Sequence, residues 1–129
     1  MEKTRYIPLG ELEVYKLARE LSVIGWKYYC VLNWHDKKVL GDQFIRAIDS
    51  VGANVAEGYG RFHYLDRIKF YYNARASLFE AADHWLSLLE ERNKISGEEY
   101  KRMRIISEEF LFKLNNFIKS TYRAKNSSE

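Results

Sequence analysis

The 129-residue chain contains one cysteine, one proline and no long apolar run. A lone Cys30 closes no intramolecular disulfide and has no companions with which to hold zinc. Pro8 stands near the start, and the seven glycines fall mostly where helices would end, which favours helix over a turn-rich β fold. No uninterrupted apolar stretch approaches about 18 residues, so no membrane span is expected. The opening MEKTRYIPLGELEVY lacks an apolar core of signal-peptide length. These absences predict a soluble, cytoplasmic protein. The phosphate-cradling patterns G-x-x-x-x-G-K-[ST] and G-x-G-x-x-G are missing as well. Helical toxin-type ribonucleases place four to six residues between Arg and His, and neither Arg61–His63 nor Arg75–His84 has that spacing.

What is present is apolar and aromatic. Apolar residues make up 47% of the chain and aromatics 16%, enough for a substantial core in one domain spanning 1–129. Net charge is +3, too mild to argue for or against a nucleic-acid partner.

Helical periodicity runs through four segments. The first, about 10–32, carries Val14, Leu17, Ala18, Leu21, Ile24, Gly25, Tyr28, Val31 and Leu32 on one face. Residues 33–38, NWHDKK, read as a loop. The second segment, about 39–57, has the stripe Leu40, Phe44, Ile48, Val51 and Val55, with Gly58 as the glycine just past its end. The third covers about 64–92. The fourth, about 97–122, opens on Ser96 with Glu99 three residues later, a capping box. Its face continues through Met103, Ile106, Phe110, Leu114, Phe117 and Thr121, and RAKNSSE reads as a frayed tail. Four helices with short links predict an all-α, antiparallel up-down-up-down four-helix bundle.

The third segment carries three apolar stripes: Ile68, Tyr71, Leu78, Ala82, Trp85 and Leu89; Phe70, Ala74, Ala81 and Leu88; and Tyr72, Ala76, Phe79 and Leu86. One bundle cannot hide all three. A homo-oligomer is therefore expected, with Tyr28, Tyr71, Tyr72 and Phe79 at its interface. The alternative leaves the tyrosines at the bundle edge with wet hydroxyls.

Residues capable of chemistry are few. Arg46, Ser50, Asn54 and Glu57 lie along the second helix and suggest a buried polar network that fixes register, with Gly52, Ala53 and Ala56 allowing close approach. A polar pocket is the other reading. Glu80 and His84 stand at i and i+4 beside Asp83, but a di-iron bundle needs Glu-x-x-His from each of two helices. Cys30, between Tyr29 and Val31, reads as structural. No catalytic residue, metal, cofactor or small-molecule substrate is expected, and the chain reads as a non-enzyme. Arg61, Arg67, Lys69 and Arg75 cluster around the start of the third helix. With Tyr59, Tyr64 and Tyr72 nearby they suit phosphates and bases, or simply form a solvated face.

Residues 40–80 resemble the four helix bundle protein family, the 23S rRNA intervening-sequence (S23-like) proteins. Leu40, Asp42, Gln43, Arg46, Ala47, Ser50, Val51, Asn54, Val55, Ala56, Glu57, Gly58, Gly60 and Arg61 follow its pattern, as do Asp66, Ala74, Ser77, Leu78 and Glu80. Ala76 and Gly52 depart from it, the first standing where the family usually has Gly. The resemblance implies a four-helix bundle in a homopentameric ring. Some members are encoded within insertions in large-subunit rRNA genes, and relatives of this fold assist retroelement reverse transcriptases. It carries over no catalytic residues. The expected role is a pentameric scaffold that binds RNA or a ribonucleoprotein. The alternative is a protein-interaction module that docks its partner on exposed aromatics without nucleic acid.

Overall fold

The structure, a computed structural model, describes residues 6–128. Residues 1–5 and 129, the outermost of the expected domain, lie outside it. After a 3-10 turn at Leu9–Glu11 come four helices. Helix α1 is Glu13–Cys30. Helix α2 is a continuous rod over 34–59, and α3 a second rod over 64–91. Helix α4 is Gly97–Ser128. Helix α1 packs against α2 and α4, and α3 packs against the same two, so the helices occupy the corners of a square in chain order. This is the up-down-up-down bundle. Among the described residues there is no strand, and no helix is long and apolar enough to cross a membrane.

The core takes the residues that periodicity selects. Leu21, Phe44, Ile48, Val51, Val55, Tyr71, Leu86, Leu89, Met103, Phe110 and Leu114 are all fully buried. Val31 is the exception on α1; it lies beyond the helix end and is exposed.

Local signals set several of the helix ends. The Ser96 hydroxyl accepts from Glu99 N–H at 3.0 Å, and the Glu99 carboxylate accepts from Ser96 N–H at 2.9 Å, so the capping box is closed in both directions. Asn93, at φ 58, ends α3 in the left-handed conformation that Asn tolerates. Lys94 N–H then returns to Leu89 O at 2.8 Å and Asn93 N–H to Glu90 O at 2.9 Å, the paired bonds of a Schellman stop.

Two boundaries differ from expectation by more than a turn. Residues 33–38 are not a loop: the Asn33 side chain accepts from Asp36 N–H at 2.8 Å and starts α2 five residues early. The extra turn is accommodated by a π-helical stretch at Lys37–Gly41. The RAKNSSE tail is helical through Ser128.

A second π-helical stretch, Phe79–Trp85, lies within α3. Five residues per hydrogen-bonded turn rotate everything beyond it. Leu86 therefore leaves the stripe of Tyr72, Ala76 and Phe79 and enters the core at 0% exposure, while those three stay exposed. The same winding stacks residues five apart, and Trp85 Nε1 donates to Glu80 Oε2 at 2.8 Å.

Gly58 does not end α2. It lies within the helix, buried, where a Cβ would come to 2.7 Å from Tyr71 Cε1, 2.9 Å from Phe70 Cβ and 3.0 Å from Arg67 O. Alanine would gain about 1 kcal/mol of helix propensity over glycine. A backbone carbonyl and a Cβ cannot swing aside, however, and overpacking costs about 1–3 kcal/mol. Gly58→Ala should therefore lower unfolding stability by up to about 2 kcal/mol in urea titration. Gly60→Ala, whose Cβ would meet nothing nearer than 3.6 Å, should not. Tyr71, against Gly58, is 1% exposed, and its burial pushes the phenol from 10.0 up to about 12. The folded state then holds this proton more tightly than the unfolded chain. The associated stability is fully present below pH 10 and lost as pH rises toward 12. Tyr71→Phe should flatten that alkaline fall, read from denaturation midpoints across the window.

Candidate interaction surfaces

The basic residues at the start of α3 do not form one patch. Arg61 and Arg67 meet at the α2–α3 connection: Arg67 Nε donates to Arg61 O at 2.6 Å, and Arg61 pairs with Glu57 at 2.7 Å while lying over the Phe70 ring. Lys69 points into solvent. Arg75 is turned toward α4, donating to Asn115 Oδ1 at 3.1 Å and covering the Tyr72 ring at 4.7 Å. Two of the four are thus brought together, one is free-standing, and one is committed to helix packing.

The polar strip on α2 is not a buried network in the single chain. Arg46 and Glu57 are exposed, while Ser50 and Asn54 are half-buried. Ser50 Oγ donates to Ala47 O at 2.7 Å and Asn54 Nδ2 to Ser50 O at 2.9 Å, both within their own helix. Such local bonds satisfy the side chains without reading a neighbour's register. Two of the expected interface tyrosines also belong elsewhere. Tyr28 is buried and donates to Glu99 O at 2.8 Å, and Tyr71 is in the core. Tyr72 and Phe79, 39% and 47% exposed, remain on the surface. Cys30 is exposed at the end of α1 and not part of the core.

Two unlike faces emerge on opposite sides of the square. On the α3/α4 side, Tyr72, Ala76 and Phe79 stand out beside Leu111 and Tyr122. A hydrogen bond to Tyr72, and then burial, raises the Tyr122 phenol. The Arg104–Asp83 ion pair crosses between the helices, and its hydrogen bond raises the Arg104 guanidinium further. Beneath it a cavity of about 40 Å³ is lined by Leu78, Phe79, Ala82 and Ser107, whose buried hydroxyl lacks a hydrogen-bond partner. On the α1/α2 side, Trp26 stacks on Tyr29 at 5.3 Å, and Tyr29 donates to Asp42 Oδ1 at 2.7 Å. That hydrogen bond is the main cause of the raised Tyr29 phenol. Beside this pair runs an open groove of about 320 Å³ between Tyr15, Arg19 and Ser22 on α1 and Asp49, Gly52, Ala53 and Ala56 on α2. The small residues make its α2 wall.

Sequence periodicity did not single out Trp26 or Phe62. Trp26 falls off the core stripe of α1, and Phe62 follows the glycine break, at 85% exposure. A large apolar residue out of phase with its helix, or in a short loop, is the signal that marks both. Among the described residues, no group of three or more His, Cys, Asp or Glu is placed to hold a metal ion. Glu80 is bonded to Trp85, and His84 packs edge-on against the same indole.

No curated protein matches the chain. The crystal structure of a protein of unknown function from the S23 ribosomal protein family of Bacteroides thetaiotaomicron VPI-5482 is similar, with a TM-score of 0.74 and 27% sequence identity. The likeness covers 81% of this chain and 97% of that one. The 23S rRNA-intervening sequence protein family matches residues 10–116, a span that includes α1, α2, α3 and most of α4. The chain belongs to the 23S rRNA-intervening sequence protein family.

Proposed function

We propose that the chain is a non-enzymatic cytoplasmic scaffold that assembles head to tail into a closed homo-oligomeric ring, a pentamer, and carries RNA or a ribonucleoprotein on the ring. The observation that carries the assembly is the pair of unlike faces on opposite sides of the bundle. A two-fold dimer uses one self-complementary patch twice, whereas a ring joins two different patches. The α3/α4 face projects Tyr72 and Phe79; the α1/α2 face offers a groove walled by Gly52, Ala53 and Ala56. Ala76 between the two aromatics lets a partner helix approach closely. Singly exposed apolar residues are ordinary, but a stripe at i, i+4 and i+7 with Leu111 and Tyr122 beside it is a face. Five subunits is the number implied by the family resemblance. RNA as cargo is supported by the family's description, which names 23S rRNA, and by the cationic α2–α3 end of the bundle.

A second reading, a protein partner docked without nucleic acid, is favoured by Ile105 and Phe112. These are 66% and 67% exposed on the outer side of α4, away from both faces. It predicts binding that salt does not weaken.

Size exclusion with light scattering tests the ring. Wild type should have a mass of five 15.4 kDa chains and co-elute with RNA that high salt removes. The double variant Tyr72→Glu, Phe79→Glu should run as a monomer with unchanged helicity, because both side chains are exposed in the single chain. A monomeric wild type would overturn the assembly. A pentamer free of RNA, whose partner binding is insensitive to salt, would favour the second reading.

A further inference from the structure

Phe62 is 85% exposed, more than any other large apolar side chain among the described residues. It sits in the short connection between α2 and α3, perpendicular to the His63 ring at a centroid distance of 5.1 Å. Burial is what makes an aromatic ring stabilise a fold, so a phenyl left almost wholly in water contributes little to this one.

Its surroundings say what would cover it. Across 6–13, 57–69 and 119–128, the segments that meet at this end of the bundle, Arg61, Arg67, Lys69, Lys119, Arg123 and Lys125 outnumber Glu11, Glu13, Glu57 and Asp66. The opposite end offers the natural comparison, because Trp34 there is also exposed. In residues 33–38 and 90–99, however, four Lys/Arg meet five Asp/Glu, and Lys38 already lies over the Trp34 ring at 5.6 Å. No cation lies over Phe62 among the described residues. The next residues along the chain, His63, Tyr64 and Leu65, line an open groove of about 320 Å³ together with Lys125 and Ser128.

An open aromatic face within a cationic surround is the chemistry that holds an unpaired nucleotide strand, bases on rings and phosphates on cations. A duplex hides its base faces and offers Phe62 nothing to stack on. We propose that the α2–α3 tip is a single-stranded RNA site, in which Phe62 stacks on an unpaired base while Arg61 and Lys69 neutralise flanking phosphates. The proposal rests on the RNA-scaffold reading above and deepens it. In a ring whose axis runs along the bundles, every subunit turns this tip to the same end, so one strand can engage several copies.

The test is fluorescence anisotropy with a labelled oligouridylate and an RNA duplex of matched length, using the assembled protein. Wild type should bind the single strand more tightly than the duplex. Phe62→Ala should weaken oligouridylate binding by roughly 5- to 100-fold. Phe62→Leu should do the same, because it keeps the apolar volume and loses the π face, while Phe62→Trp should retain affinity. The residue is too exposed for these changes to disturb the fold, and unchanged melting confirms this in each variant. Oligouridylate binding by wild type that Phe62→Ala leaves intact overturns the stacking site, while the RNA reading stands. Wild type that binds neither probe overturns both. Equal loss on duplex and single strand also overturns the proposal.

Discussion

The approach of α2 to α3 at Gly58 is the constraint on which the rest of the bundle depends. At this point the helices are separated by less than a methyl group, with Tyr71 and Phe70 side chains and the Arg67 carbonyl filling the space. That closeness holds the connection between them to a few residues, which Arg67 ties down by donating to Arg61 O. It also directs Tyr71 inward. The remaining side chains of α3 follow from that orientation: Ala74 and Leu78 toward the core, Arg75 toward Asn115 on α4, and Tyr72 and Phe79 to the outer edge. The tip that presents Phe62 is thus a consequence of a helix contact one turn away.

The second determinant is the π-helical winding at Phe79–Trp85. Without it, α3 would carry one apolar stripe from Tyr72 through Leu86 along its outer edge. The added residue per turn ends that stripe at Phe79 and sends Leu86 inward. The outward face is therefore short and confined to the middle of α3. The same bulge lets Trp85 bond Glu80, so neither Glu80 nor His84 is left as a free ligand on the surface.

Much of this was legible in the sequence, and the residues show why. The stripes of α1, α2 and α4 are regular over many turns, so Leu21, Ile48 and Phe110 could be assigned to the core from spacing alone. Ser96 and Glu99 marked the start of α4 because a capping box is a local device. Gly58 was legible as special but not in its role. A helix-ending glycine and a close-contact glycine look identical without the partner helix. The loop assigned to 33–38 failed because polar composition outweighed a single capping Asn33, and π-helical winding leaves no mark in a 3.6-residue pattern. Tyr28 and Tyr71 were misplaced for a related reason. An aromatic residue on a crowded helix can be core or interface, and only the tertiary partner decides. The polar strip from Arg46 to Glu57 satisfies itself within its own helix, which no spacing rule distinguishes from a bond across to another.

The proposed ring sets the projecting aromatic edge of one copy against the small-residue groove of the next, two faces that cannot meet within one chain. Closure between copies would bury Tyr72 and Phe79 and leave the cationic tips aligned at one end of the ring. Cysteine cross-linking reads that geometry directly. In a Cys30→Ser background, Ala53→Cys and Phe79→Cys introduced together should give, on mild oxidation, a ladder of linked species ending at five chains, while either change alone gives none. Dimers as the sole product, formed by Phe79→Cys alone, would show a two-fold joint between like faces and contradict the ring.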